Sequence, residues 1–373
     1  MSTLQTPIGS GFTVTSTAAD VIQGIDLTGK TTIITGGYSG IGLETARVFA
    51  GAGARVIVPA RDLARAQAAL SGIAGTEIMP MDLTDPASID AFVAAFLKTG
   101  QKLHILVNNA GIMAVPELTR DARGHELHFA TNHLGHFQLT LGLWPALVRA
   151  HGARVVSVAS IGHRFSPVVF DDIDYEHRPY DPWTAYGQSK TANILFALEL
   201  DKRGQKEGIR GFALHPGGII ETGLVKHIPT ETLKAVGALD AEGKPVIDPA
   251  KDLKTVPQGA ATQVWCATSP RLNGLGGVYC ENSDIAPMQR ADAQTMVEVD
   301  DTLGQSGVAP HAVDPEAAAK LWAVSGQMLN LSTLPWTKHG AYPYAFANGY
   351  APLVWFRPLN LSGRMLPFDR MRL

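Results

Sequence analysis

The chain has 373 residues and a formal net charge of -3, from 31 basic and 34 acidic side chains. That balance leaves no basic patch for nucleic acid and no polybasic stretch for anionic lipid, so small neutral or mixed partners are expected. Its two cysteines, Cys266 and Cys280, lie in separate apolar contexts without C-x-x-C spacing, which reads as buried small hydrophobes in a reducing compartment rather than a metal site or disulfide.

The first residues, "MSTLQTPIGSGF", carry neither the basic start nor the apolar stretch of a secretory signal. No run approaches the ~18 apolar residues of a membrane span, and a cytoplasmic location is expected. Residues 1–27 form a Ser/Thr-rich N-terminal extension in which "TSTAADVIQGID" reads as a short amphipathic helix laid on the core.

From residue 28 a regular beat begins. Strand-length apolar runs occur at "TTIIT" (31–35), "RVIVPA" (55–60), "EIMPMDL" (77–83), "LHILVNN" (103–109), "RVVSVAS" (154–160), "GFALHP" (211–216) and "GVYCEN" (277–282). Between them lie segments with apolar residues at helical spacing, such as "DPASIDAFVAAFLKTG" and "TAYGQSKTANILFALELDKRG". Continuous apolar strands joined by helices imply a parallel sheet covered on both faces. The expected fold class is α/β: a single doubly wound, Rossmann-type parallel sheet of about seven strands, occupying 28–290, with N- and C-terminal extensions.

The first strand runs into "TGGYSGIG" and then a helix. At that strand-to-helix turn the helix N-terminus offers free N–H groups and the positive end of its dipole to a phosphate. Gly36 would let the chain turn, Gly40 would admit a pyrophosphate close to the backbone, and Gly42 would let helix and strand pack closely. Tyr38, Ser39 and Ile41 complete the turn. A nucleotide-hydrolase phosphate loop would need lysine after its last glycine, and Leu43 stands there instead.

In a dinucleotide fold an acid about 20 positions past the glycines meets the adenine ribose hydroxyls. Here "VIVPARD" offers Ala60 and then Arg61. An arginine suits a 2′-phosphate, so NADP(H) is expected over NAD; the alternative is that Arg61 begins the charged face of "RDLARAQ". Asp82, beside Leu83 in "MDLTD", either accepts from the adenine amino group or caps the next helix.

Tyr186 and Lys190 in "AYGQSKTAN" are four positions apart on a helical segment, hence on one face about 5–6 Å apart. An ammonium near a phenol pulls its pKa down from about 10, as a general acid/base near neutrality requires. Ser160 ends the fifth strand at the carboxyl edge where such sheets place ligands, and its hydroxyl could bond a substrate oxygen.

Taken together these residues resemble the short-chain dehydrogenase/reductase family. Thr35-Gly36, Gly40 and Gly42 match its T-G-x-x-x-G-x-G turn, "NNAG" (108–111) its fourth-strand motif, and "HPGG" (215–218) its P-G motif. Asn132, Ser160, Tyr186 and Lys190 fall on its catalytic tetrad. "NHLGHFQLT", "PARD" and the long Ser160-to-Tyr186 spacing look like the branch of retinol dehydrogenases and WW-domain oxidoreductases. The hydroxyl residue after P-G-x-x-x comes one place late, at Thr222, a spacing closer to protochlorophyllide reductases.

The resemblance implies that Tyr186 exchanges the substrate proton as hydride moves to or from the nicotinamide. Lys190 would lower the Tyr186 pKa and hold the nicotinamide ribose, Ser160 would orient the substrate oxygen, and Asn132 would support the lysine through a water. Asn109, Ala110 and Gly111 would line the cofactor, with Pro216, Gly217 and Ile219 beside the nicotinamide and Gly218 toward substrate. A lipophilic aldehyde, ketone or alcohol is the implied substrate, and a homodimer or homotetramer the implied assembly. Reduction of a C=C bond and a non-catalytic NADP sensor are the alternatives.

His163 and Phe165, just past Ser160, either touch substrate or pack structurally. Four histidines crowd "HELHFATNHLGHF" (His125, His128, His133, His136), but without an H-E-x-x-H frame they read as polar positions beside the cofactor cleft, with no metal. The stretch 222–257, mixing helix with Pro/Gly turns, reads as a mobile substrate cover. Residues 291–330 form a C-terminal helical segment through "DPEAAAKLWAVSGQML" (314–329). The Pro- and aromatic-rich tail, 331–373, reads as a packed arm or as a wall over the pocket.

Overall fold

The computed structural model describes residues 4–289 and 305–331. The strands are β1 (Thr31–Ile34), β2 (Arg55–Ala60), β3 (Thr76–Pro80), β4 (Ile105–Asn108), β5 (Ala153–Val158), β6 (Ile209–Leu214), β7 (Val278–Glu281) and β8 (Asp284–Ile285). They form one sheet in the order β3-β2-β1-β4-β5-β6-β7-β8. The first seven are parallel and β8 pairs antiparallel with β7. The sheet thus has eight strands where about seven were expected. The eighth is a two-residue return after Asn282 and Ser283, both left-handed at φ 49 and 57, the backbone of a tight hairpin turn.

Strand order reverses between β1 and β4, which opens a crevice at their carboxyl ends. One face of the sheet is covered by α1 (Ala18–Ile22), α2 (Gly40–Gly51) and α8 (Val256–Thr268). Alternate strand residues, Val56 and Val58, Val156 and Val158, Phe212 and Leu214, pack there against Val21, Phe49 and Trp265, as the period of two in a strand dictates. Cys266 and Cys280 are buried free thiols in the same cluster. On the sheet's β6–β7 side, Ala213 and Tyr279 pack with Ile194 and Ala197 of α6 (Pro182–Gly204).

Helix starts follow local chemistry. Asp62, Asp85, Asp181 and Asp314 cap α3 (Leu63–Leu70), α4 (Pro86–Lys98), α6 and α9 (Pro315–Met328), and Thr17 and Thr255 form capping boxes on α1 and α8. Trp322 of α9 stacks on Phe196 of α6 at 5.8 Å. Near the start of the chain the Gln5 side chain donates to the carbonyls of Tyr279 and Ala286 at 2.7 Å and accepts from the Tyr279 N–H at 2.9 Å, while Asp284 accepts from Ile8 and Ser10.

Residues up to Leu329 form one unit and those from Asn330 another. The aromatic tail lies outside the described residues except for Leu331. Among the described residues no helix is long and apolar enough to cross a membrane, and no group of three His, Cys, Asp or Glu side chains is placed to hold a metal.

Candidate active site

A cavity of about 840 Å³ runs along the carboxyl edge of the sheet, from the glycine turn past β4 and β5 to the segment 222–257. At the turn, the Thr35 hydroxyl accepts from the N–H groups of Asn109 (2.9 Å) and Ala110 (3.0 Å), and Asn109 Nδ2 donates to the Thr35 carbonyl at 2.8 Å. These bonds lock the "NNAG" strand end to the first turn. Gly36 takes φ 66, and a Cβ on Gly42 would come within 2.5 Å of Asn109 Nδ2 and the Gly36 carbonyl. Gly42 is therefore a packing glycine behind the turn, whereas Gly36, Tyr38, Ser39, Gly40 and Ile41 face the cavity. Ser39 makes no side-chain cap on α2, so the first N–H groups of that helix, which starts at the cavity-lining Gly40, are left without a side-chain cap from it, the arrangement that suits a phosphate.

Arg61 lines the far end of the cavity with its side chain 73% exposed, and its guanidinium is 3.9 Å from Asp82. Ala60 beside it is buried, so no acid stands where a ribose 2′-hydroxyl would be met. Arg65 also lines this end; the sequence reading passed over it, although it follows Arg61 at the helical spacing of four. Asp82 accepts from both the N–H (2.9 Å) and hydroxyl (2.8 Å) of Thr84. The cap of α4 is Asp85, so Asp82 does not cap that helix.

Ser160, Tyr186 and Lys190 meet on the cavity floor. Ser160 follows β5 and its Oγ accepts from the Gly162 N–H at 3.0 Å. Tyr186 and Lys190 share one face of α6, which Asp181 caps through the Thr184 N–H at 2.7 Å. Lys190 Nζ donates to the Val158 carbonyl at 2.9 Å and lies 5.6 Å from the Tyr186 ring centre.

Electrostatics here depart from the sequence expectation. Burial pushes the Tyr186 phenol up to about 12, with a bond to Ser160 pulling the other way, and pushes Lys190 down to about 7. The phenol is thus not lowered by the chain's own residues. Desolvation of both groups outweighs a cation at that separation, and Lys190 spends its bond on Val158 rather than on the phenol.

Asn132 lies in a π-helical turn, Phe129–Leu134, that leads into α5 (Gly135–Arg149). Such turns recur at functional sites. Its amide is bound on all sides: Oδ1 accepts from the Ile112 N–H (2.9 Å), and Nδ2 donates to the Ile112 carbonyl (3.0 Å) and to Ser189 Oγ (2.9 Å). Asn132 is fully buried and clamps the cavity-lining strand end instead of lining the cavity itself. The crowded histidines likewise separate into different networks. His136 bridges the Thr35 hydroxyl and the Asn132 carbonyl at 2.9 Å each, His133 meets Ser325, and His128 meets Glu126.

Past Ser160, Phe165 lines the cavity but His163 does not. The 3-10 turn Ile161–Phe165 carries His163 beneath the serine, fully buried. Pro216, Gly217, Gly218 and Ile219 line the cavity, as do Leu83, Asn109, Ala110 and Gly111. Thr222 reaches back over the glycine turn: its Cγ2 would be 3.0 Å from a Cβ on Gly40, and its hydroxyl donates to the Ile219 carbonyl at 3.0 Å. The remaining wall mixes apolar side chains, Met113, Val115, Trp183, Ile228 and Leu233, with the charged and polar Lys226, His227, Lys251 and Asp252. Trp183 sits three positions before Tyr186, the one signal by which the sequence could have shown it.

The cover, 222–257, consists of short turns around α7 (Thr230–Ala235), packed on Leu233, Ala238 and Leu253. Its far end is latched. Asp252 lies 2.9 Å from His215 Nε2 and 2.8 Å from Lys254 Nζ, and Gly218 exchanges backbone bonds with Asp252 and Lys254.

The chain matches the family model "short chain dehydrogenase" over residues 30–232. A Streptomyces lividans protein described as "Probable oxidoreductase" is 43% identical over 82% of this chain and 99% of its own length. Human retinol dehydrogenase 12 is 36% identical over 82% of this chain and 88% of its own, and human WW domain-containing oxidoreductase is 36% identical over 84% and 71%. Among solved structures, a 3-ketoacyl-(acyl-carrier-protein) reductase from Brucella melitensis, complexed with NADH, aligns with TM-score 0.53 and 25% identity over 68% of this chain and 96% of that one.

Proposed function

The chain belongs to the short-chain dehydrogenase family, and on that footing we propose that it is an NADP-dependent oxidoreductase interconverting a carbonyl and an alcohol on a lipophilic small molecule. The observation that carries this reading is the meeting of Ser160, Tyr186 and Lys190 on the floor of a cavity that is lined beside them by Met113, Val115, Phe165 and Trp183 and that also holds Arg61 and Arg65. A relative named for retinol, itself a lipophilic alcohol, supports the substrate class.

The nicotinamide coenzyme, when bound, supplies or accepts the hydride. The glycine turn and the first N–H groups of α2 suit its diphosphate, and Arg61 with Arg65 suit a 2′-phosphate through charge-assisted bonds. Tyr186 donates its phenolic proton to the carbonyl oxygen in reduction and takes it back in oxidation. Burial keeps the phenol protonated before transfer, at the cost of making it a weaker acid. Ser160 bonds the same oxygen and aims it at the phenol. Lys190, held beside the phenol by its bond to the Val158 carbonyl, stabilises through its charge the phenolate left by the transfer, and that phenolate regains its proton from water.

Titration with NADPH and with NADH, followed through tryptophan fluorescence, tests the reading; Trp183 lines the cavity and reports directly. Much tighter NADPH binding is expected. Equal or preferred NADH removes the role given to the two arginines, and binding of neither removes the oxidoreductase reading.

A further inference from the structure

A single 3-10 turn, Ile161–Phe165, follows Ser160, and so short an element has poor hydrogen-bond geometry of its own. His163 is what ties it down. Its Nδ1 donates to the Ser160 carbonyl at 2.7 Å, and its Nε2 accepts from the Ala309 N–H at 3.1 Å. Its own carbonyl accepts from His311 Nε2 at 3.0 Å and from the Thr191 hydroxyl at 2.9 Å. Because Nε2 is an acceptor, the ring is neutral with its proton on Nδ1. Burial, with Arg164, His311 and His215 nearby, pushes its pKa down to about 3, so that donor and acceptor stay in place at any working pH.

The neighbours repeat the pattern. Arg164 donates to the Gln305 side chain and to the Ser306 carbonyl at 3.3 Å, and the Gly307 N–H meets Glu281 at 3.0 Å. Val308 and Ala312 pack with Ala159, which precedes the serine. Of these partners, Glu281, Gln305, Ser306, Gly307, Val308, Ala309, His311 and Ala312 lie past the 30–232 stretch that matches the family model, and Thr191 lies within it.

We infer that the segment 305–313 is a brace for the active-site serine, acting through His163 as a positioning residue that fixes the Ser160 carbonyl and with it the aim of the Ser160 hydroxyl. The inference rests on the role proposed for Ser160. A catalytic group displaced by about 1 Å loses on the order of 10²-fold in rate, so a fixed carbonyl beneath that group has a kinetic consequence.

The test uses the full chain carrying His163→Phe, His163→Asn or His311→Phe, assayed for NADPH-dependent reduction of decanal. Phenylalanine keeps the ring and loses both bonds; asparagine returns an N–H near the position of Nδ1. His163→Phe is expected to lower kcat roughly 10- to 100-fold with NADPH affinity unchanged, and His163→Asn, which regains the bond to Ser160 but not the one to Ala309, to recover only part of that loss. Wild-type kcat in His163→Phe overturns the brace, as does full recovery in His163→Asn, which would make the link to 305–313 dispensable. Should His163→Phe fail to fold, His311→Phe decides: a smaller drop in kcat supports the brace and no drop overturns it. Amide exchange at Ile161–Phe165 separates the brace from the chemistry. Faster exchange in the folded variants supports the brace even if the wild type does not reduce decanal, a result that counts against the oxidoreductase reading alone. Unchanged exchange overturns the brace whatever the turnover.

Discussion

Ser160, Tyr186 and Lys190 stand on the end of β5 and on α6, a helix buried along most of its length, and each is bonded to backbone or side chains of the core. The cover, 222–257, has three buried apolar residues of its own and many exposed ones, and its latch is one carboxylate shared by His215 and Lys254. Few buried contacts mean a low local opening free energy, so the segment is expected to open more readily than the floor. On the proposed function, chemistry would reside where packing leaves little choice, and substrate choice where packing is thin.

Acid should break the two regions in different windows, with the floor first and with the largest effect. Burial pushes His133 and His163 down to about 3 and His136 down to about 4. The unfolded chain binds these protons from about pH 6.5 downward while the folded chain refuses them, so stability falls as pH falls. At pH 5 each histidine gives up about 2 kcal/mol, a large share of the 5–15 kcal/mol typical of a native protein. Thermal denaturation from pH 7 to 5 checks this, and a flat melting temperature would refute it. For Asp252, burial raises the pKa but the bond and charge of His215 and the charge of Lys254 outweigh it, leaving about 2. Its contribution is complete above about pH 4 and is lost only as pH falls toward 2.

Tyr186→Phe comes next. Turnover should fall on the order of 10²–10⁴-fold while NADPH affinity stays nearly constant, read from initial rates and fluorescence titration. Persistent turnover would sink the mechanism. Replacing Arg61 and Arg65 together by alanine should weaken NADPH roughly 10- to 100-fold and leave NADH unchanged, since each lost contact is a hydrogen bond between charged groups. Equal loss of both coenzymes would mean the pair does not read the 2′-phosphate. Asp252→Asn should have the smallest effect on turnover and cost about 2 kcal/mol in thermal denaturation at pH 7, because the amide oxygen still accepts from His215 but the charge that pairs with Lys254 is lost. A loss several times larger would mean that floor and cover unfold as one.

The sheet was legible because continuous apolar runs such as "RVIVPA" can only be strands buried on both faces, and the floor because Tyr186, Lys190 and Ser160 carry their spacing in the sequence. What escaped depended on backbone direction. The run of residues after Ser160 looks cavity-facing, yet a 3-10 turn carries His163 underneath while leaving Phe165 at the surface of the cavity. Asn132 sits in a π-helical turn that no periodicity announces. A lysine four positions from a tyrosine suggests a lowered phenol, but burial reverses the sign. The latch joins Asp252 to His215, and no local pattern pairs residues so far apart.

The bonds of Gln5 to Tyr279 and Ala286 join positions 274 and 281 residues apart. On a ribosome adding about 5–20 residues per second, Gln5 is made tens of seconds before either partner exists. The edge of the sheet at β7 therefore closes only after most of the chain has been synthesised. Until β7 is made the β6 edge has no strand on that side, an exposed edge of the kind that is prone to unwanted pairing.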